Sequence, residues 1–207
     1  MSYFIKVCGI TNLSDLQLVS SLSTDAVGFN LYDKSKRFID LPNAIKLAAN
    51  VPEQLQIVLI FVNHPKEFIS QCLKDIPKAI PQFHGDETKD FCESFEVDFI
   101  KAIRIKKDTD LEKINQDYKN AKMLIFDSYD EKEYGGTGRT FDLGLLEDKI
   151  SVPFLAAGGI DKLNFQDALL LKNCIGIDVC SSVEEVPGVK NHAKVKDLLE
   201  KIRSFNV

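Results

Sequence analysis

Phe4-Ile5-Lys6-Val7-Cys8-Gly9-Ile10-Thr11 is an apolar run that ends abruptly in a thiol, a glycine and a hydroxyl. Read as a buried strand, it sets Phe4, Lys6 and Cys8 on one face and Ile5 and Val7 on the other, because alternate side chains project to opposite sides. Lys6 then neighbours Cys8. A nearby ammonium favours thiolate over thiol, which prepares Cys8 as a base or nucleophile at neutral pH. The plainer alternative is a packed cysteine acting as a small inert hydrophobe.

Outward from this stretch, strand-like and helix-like patterns alternate. Asn12 to Leu22 carries Leu13, Leu16, Leu18, Val19 and Leu22 at largely helical spacing, with Asn12 as a cap. Asp25 to Asn30 predicts a second strand, Leu31 to Phe38 a basic loop, and Leu41 to Asn50 a helix with Pro42 in its first turn. The pattern continues with strands over Leu55 to Phe61, Ala79 to Phe83 and Asp98 to Ile103. Their helices are predicted over Lys66 to Lys74, Thr88 to Phe95 and Thr109 to Tyr118, the last with a weak apolar face. Strand six, Met123 to Phe126, stops at Asp127 before a polar loop containing Gly135-Gly136-Thr137-Gly138 and a short helix from Phe141 to Glu147. Strand seven, Pro153 to Ala157, runs into Gly158-Gly159 and a helix from Leu163 to Leu171. Strand eight, Ile175 to Val179, runs into Cys180-Ser181-Ser182, and Val189 to Ser204 predicts the last helix.

Eight strand-helix units without a linker predict a single-domain (β/α)₈ barrel over residues 1–207, compact against the typical ~250 residues. An open doubly wound sheet also alternates strands and helices, but it usually places its glycines in the first turn, whereas Gly9 stands alone and no G-x-G-x-x-G follows strand one. Here the glycines gather after strands six and seven, close to where barrels commonly hold phosphate.

Composition limits the function. The chain is 44% hydrophobic and 28% charged, which suits one substantial core, and its net charge of -5 disfavours nucleic acid or an anionic membrane as partner. No apolar run approaches the ~18 residues that span a bilayer, and no signal pattern opens the chain. Five cysteines without a C-x-x-C pair fit a reducing, cytoplasmic setting, and three scattered histidines suggest no metal. With no large apolar stripe left over, a monomer is expected.

In a barrel the functional side chains cluster at the carboxyl ends of the strands. Those positions are Cys8, Asn30, Asn63, His84, Arg104, Asp127, Gly158-Gly159 and Cys180 to Ser182. Asp127, closing an apolar run, is either a desolvated acid or an exposed loop carboxylate. Gly158 and Gly159 either bring backbone N–H groups up to an anion, with Ser181 and Ser182 beside them, or form an ordinary tight turn. Arg37, with Lys34 and Lys36, either holds a carboxylate on a flexible tip or belongs to a solvated charge cluster.

Seven motifs in register, from KVCGIT at Lys6 to Thr11 through SKRFI at Ser35 to Ile39, FVN at Phe61 to Asn63, QFHGDE at Gln82 to Glu87, GGTGRTFD at Gly135 to Asp142, AGGI at Ala157 to Ile160 and DVCSSVE at Asp178 to Glu184, resemble phosphoribosylanthranilate isomerase. The resemblance implies a barrel of the ribulose-phosphate-binding type in tryptophan biosynthesis. It implies the Amadori rearrangement of N-(5-phosphoribosyl)anthranilate with no metal or organic cofactor. Carried over by motif position, it implies Cys8 as general base, Asp127 as general acid and Arg37 as partner of the anthranilate carboxylate. Gly158, Gly159 and the turn from Asp178 through Ser181 and Ser182 would hold the phosphate. The sequence departs from the family at Phe83, often Leu; at Leu143, usually aromatic; and at Cys180 with Ser182, often Ser or Asn and Gly. Two alternatives remain: the histidine-pathway Amadori isomerase, against which Cys8 and the absence of glycines after strand three both argue, and a sugar-phosphate-binding barrel without catalysis.

Overall fold

Strand β1 (Phe4–Cys8) alternates as its sequence requires. Ile5 and Val7 are fully buried in the layer beneath the helices, while Phe4 and Cys8 pack with the barrel interior and Lys6, equally buried, lies between them. In the computed structural model, which describes residues 3–128, 143–146 and 149–205, seven further strands share this pattern. They are β2 (Ala26–Asn30), β3 (Gln56–Phe61), β4 (Ala79–Phe83), β5 (Ile100–Ile105), β6 (Met123–Ser128), β7 (Phe154–Ala156) and β8 (Cys174–Val179). All pair in parallel, in chain order, and β8 closes on β1 with Lys6 opposite Asp178 and Val7 opposite Val179. Closure is close enough at Gly176 that a Cβ there would overlap the Phe4 carbonyl, so this position needs glycine.

The helices are α1 (Leu13–Ser21), α2 (Leu41–Ala48), α3 (Lys66–Asp75), α4 (Lys89–Glu93), α5 (Leu111–Asp117), α6 (Phe165–Leu169) and α7 (His192–Ser204). Five of them start on a side chain that accepts a backbone N–H of the first turn: Asn12, Asp40, Thr88, Asp110 and Asn191. These caps end each connecting loop at a defined point, which fixes where the loop can run over the barrel mouth. Two apolar layers result. The outer one, with Phe29, Phe61, Phe83, Phe126 and Phe154, lies between strands and helices; the inner one is filled by smaller residues such as Ala26, Val58, Ile60, Ala102 and Leu155. No helix among the described residues is long and apolar enough to cross a membrane.

Several predicted boundaries shift. The last helix begins at His192, not Val189, because Glu184–Val186 (β9) and Val189–Lys190 (β10) form an antiparallel hairpin. Its turn holds Pro187 and Gly188, and Gly188 has φ 84°, a conformation that favours glycine. Strand β6 runs on through Asp127 and Ser128, and β5 runs through Arg104. Helix α4 is shorter than Thr88 to Phe95, α5 buries no residue, and α6 starts at Phe165, not Leu163. Of the helix expected over Phe141 to Glu147, Leu143–Leu146 forms a 3₁₀ turn. Its remaining residues and the Gly135 to Gly138 loop lie outside the described residues.

Candidate active site

Interior-facing parity brings the ends of the strands to one pocket. Cys8, Asn30, Arg37, Gln82, His84, Asp127, Gly158, Gly159, Asp178, Cys180, Ser181 and Ser182 are among its lining.

On the β1–β8 side, Lys6 Nζ donates to Asp178 Oδ2 at 2.7 Å, both groups buried. Burial opposes the ammonium, but the charges of Asp178 and Cys8 outweigh it, so Lys6 is shifted upward and stays protonated. Burial pushes the Asp178 carboxyl up to about 7 against the pull of Lys6, with negative charge on Cys8 and Asp127 adding to the rise. The Cys8 thiol is drawn well below its ordinary value of 9.0. A hydrogen bond from the Cys180 thiol contributes most, burial opposes, and Lys6, Lys190 and His84 assist. Cys8 is therefore set apart from Cys72, Cys92 and Cys174, whose thiols burial pushes up to about 12, 12 and 11.

Asp127 is 4% exposed on β6, which replaces the reading of an exposed loop carboxylate. Its Oδ1 accepts from Ser128 N at 2.8 Å, and its Oδ2 lies 3.4 Å from His84 Nε2. Gln82 Nε2 lies 3.2 Å from His84 Nδ1. With the amide as donor, Nδ1 accepts and the ring hydrogen sits on Nε2, toward Asp127. Gly158, at φ 68°, packs on this carboxylate: a Cβ there would lie 2.7 Å from Asp127 Oδ1 and would meet Ser128 N. Gln82 Oε1, His84 Nε2 and Asp178 Oδ1 are buried without a hydrogen-bond partner among the described residues. Buried polar groups are rarely left so outside functional sites.

Arg37 differs from the expected flexible tip. Lys34 and Lys36 are exposed, but Arg37 is 7% exposed and turned inward. Asn30 Nδ2 and the Arg37 N–H both donate to Ser35 Oγ, at 3.0 and 3.1 Å, which fixes the loop. Arg37 Nε reaches both Glu184 carboxylate oxygens at 2.9 and 3.1 Å, and Nη2 reaches Oε2 at 2.7 Å. Lys190 Nζ and Gly188 N also donate to Glu184 Oε1, at 3.0 and 3.2 Å. Burial opposes the Glu184 charge, but Arg37 and Lys190 lower its pKa on balance. This clamp leaves Nη1 as the guanidinium nitrogen uncommitted to Glu184.

Gly158 and Gly159, with φ 68° and 74°, turn the chain after β7, and Asn164 Nδ2 holds the Gly159 carbonyl at 3.0 Å. Ser181 and Ser182 sit across from them in a 3₁₀ turn after β8. All eight sequence-predicted site residues thus line one pocket. Asn63 and Arg104 are not among its lining. Asn63 N donates to Glu87, and Arg104 pairs with Asp86 at 3.0 Å. Sequence reasoning missed Glu184, Lys190 and Gln82. Glu184 closes the DVCSSVE motif and Gln82 opens QFHGDE, so both were visible; the contact of Glu184 with Arg37 spans 147 residues, whereas Gln82 meets His84 two residues on.

Residues 5–201 match the family model described as N-(5'-phosphoribosyl)anthranilate isomerase. The chain is similar to the N-(5'-phosphoribosyl)anthranilate isomerase of Legionella pneumophila strain Corby, 35% identical over 198 residues that cover 96% of each chain. Among solved structures it resembles the phosphoribosyl anthranilate isomerase of Thermus thermophilus, with a TM-score of 0.88 and 27% identity over 98% of this chain and all of that one. It also resembles a phosphoribosyl anthranilate isomerase in complex with reduced 1-(o-carboxyphenylamino)-1-deoxyribulose 5-phosphate, with a TM-score of 0.85 and 28% identity over 99% of this chain and all of that one.

Proposed function

The chain belongs to the phosphoribosylanthranilate isomerase family and is an aldose–ketose isomerase of tryptophan biosynthesis; for its Amadori rearrangement we propose Cys8 as general base and Asp127 as general acid. The observation that carries this reading is one pocket lined by a thiol drawn below its ordinary pKa and by a buried carboxylate on a separate strand. Ring opening needs a proton on the ribose ring oxygen, which Asp127 donates. The resulting iminium makes the C2 proton acidic, and the Cys8 thiolate removes it. The enolamine then tautomerises to the ketose.

The substrate carries an anion at each end, and the pocket offers a matching group for each. Arg37, held by Glu184, pairs with the anthranilate carboxylate through its remaining N–H groups. Gly158, Gly159, Ser181, Ser182 and the backbone after Asp178 take the phosphate, because positive-φ glycines let N–H groups approach closely. The ribose then lies between Cys8 and Asp127. The whole of residues 1–207 forms one catalytic domain on this reading. A monomer is supported by large exposed apolar side chains spread along the chain, such as Leu13, Phe38, Val97 and Leu163, with Val186 and Val189 paired on the β9–β10 hairpin. Five free cysteines support a reducing, cytoplasmic setting.

The test is turnover of freshly generated phosphoribosylanthranilate by purified protein, with Cys8→Ser and Asp127→Asn alongside. Each variant should lose about 10²–10⁴ in kcat while remaining folded. Near wild-type turnover in either folded variant would withdraw that residue's role.

A further inference from the structure

We propose that Cys8 and Cys180 form a reversible disulfide when the enzyme meets a hydroperoxide, so that the pair is an oxidation site within the active pocket. Val7 and Val179 are register partners on neighbouring parallel strands; Cys8 ends β1, and Cys180 is the first residue after β8, where the chain enters the 3₁₀ turn. Neighbouring strands run about 4.8 Å apart, inside the span of about 4.4–6.8 Å between α-carbons that a disulfide bridges. Both sulfurs fill space left by glycines. A Cβ on Gly28 would lie 2.9 Å from Cys8 Sγ, and one on Gly9 would lie 3.1 Å from Cys180 Sγ. Each thiol is the largest influence on the ionisation of the other, and neither is held in a disulfide.

Access and charge single out this pair. Cys8 and Cys180 line the pocket, whereas Cys72, Cys92 and Cys174 are buried elsewhere. Lys190 Nζ lies 3.9 Å from Cys180 Sγ, and the buried Lys6 stands two residues before Cys8 on its own face, so cations flank both sulfurs. In the first step the Cys8 thiolate attacks one peroxide oxygen, the O–O bond breaks, and Cys8 becomes a sulfenic acid as hydroxide leaves and is protonated. Cys180 then attacks the sulfenic sulfur, its proton going to the departing hydroxide. In sum, two thiols and one hydrogen peroxide give one disulfide and two waters. A dithiol reductant reverses the bond by exchange. The effect on activity rests on Cys8 being the general base; formation of the bond does not.

The experiment treats the purified enzyme with hydrogen peroxide, blocks free thiols by alkylation, digests it and identifies linked peptides by mass spectrometry, with activity measured before and after dithiothreitol. The expected result is a linked Cys8–Cys180 peptide, a loss of activity of about 10²-fold in the oxidised fraction, and recovery on reduction. In Cys180→Ser, compared with its own reduced activity, no linked peptide forms and Cys8 proceeds to sulfinic acid that dithiothreitol does not restore. A wild-type enzyme whose Cys8 goes to sulfinic acid with no linked peptide would overturn the proposal, as would a link to Cys72, Cys92 or Cys174. A Cys8–Cys180 link with full activity would uphold the oxidation site and overturn Cys8 as base.

Discussion

Replacing Glu184 with glutamine changes one oxygen to an amide nitrogen at the point where Arg37 is held. Oε2 accepts from Arg37 Nε and Nη2, while Oε1 accepts from Arg37 Nε, Lys190 Nζ and Gly188 N. The amide keeps only one of these two acceptors. With nitrogen on the Oε2 side, Arg37 Nη2 loses its 2.7 Å bond; with nitrogen on the Oε1 side, Lys190 and Gly188 lose theirs. In both orientations two buried cations also lose their counter-charge. A hydrogen bond to a charged group contributes about 1.5–3 kcal/mol, and breaking a buried ion pair costs about 3–5 kcal/mol, so the variant should lose about 3–5 kcal/mol of stability. At about 2–4 °C per kcal/mol for a chain of this size, Tm should fall by about 6–20 °C. The same change frees the Arg37 guanidinium to rotate, so KM for phosphoribosylanthranilate should rise about tenfold or more, each decade being about 1.4 kcal/mol. The chemical step involves other side chains, so kcat should change by much less. Calorimetry and steady-state kinetics on Glu184→Gln read both quantities. A Tm and a KM both unchanged from wild type would show that Glu184 does not set the position of Arg37.

Arg37→Ala removes the carboxylate partner itself, and its KM should rise by the equivalent of about 2–5 kcal/mol if the pair is desolvated; a fall in kcat with KM unchanged would take Arg37 out of that role. A crystal structure with phosphate or sulfate should hold the anion on backbone N–H groups near Gly159 and Ser182, and an anion seated at another pair of loops would contradict the phosphate assignment. Alkylation of the native enzyme by iodoacetamide should follow the Cys8 thiolate, the deprotonated form that rises with pH. Since the Cys8 thiol lies well below 9.0, the rate should reach half its maximum well below pH 9. A midpoint at or above 9 would show that the cations around Cys8 do not favour its thiolate.

What the sequence disclosed follows from where the information is local. Alternation alone put Lys6 and Cys8 on one face of β1, whereas the Lys6–Asp178 pair across the barrel seam needed the closure of β8 on β1. The strand ends were readable because each apolar run stops at a polar or glycine residue, as at Phe126-Asp127 and Ala157-Gly158. Arg37 was harder. Lys34, Lys36 and Arg37 look alike as a basic run, and only a contact 147 residues away separates the inward arginine from the two solvated lysines. The β9–β10 hairpin was a misreading of a local signal, since Pro187-Gly188 marks a turn where a helix was expected to be starting. Gln82 and His84 are only two residues apart, but their approach to Asp127 joins the end of β4 to β6, strands separated by β5 in the sheet order, so spacing along the chain could not show it.

The central claim, that two separate proton transfers are carried by Cys8 and Asp127, is tested most directly by pH–rate profiles of kcat for the wild type, Cys8→Ser and Asp127→Asn. Activity should rise with pH as Cys8 ionises, with the acidic limb lying well below pH 9 because the Cys8 thiol is drawn well below its ordinary value. Cys8→Ser should lose this limb and Asp127→Asn should keep it, in each case with turnover lowered by about 10²–10⁴. The limb retained in Cys8→Ser, or lost in Asp127→Asn, or wild-type turnover in either variant, would contradict the assignment of base and acid.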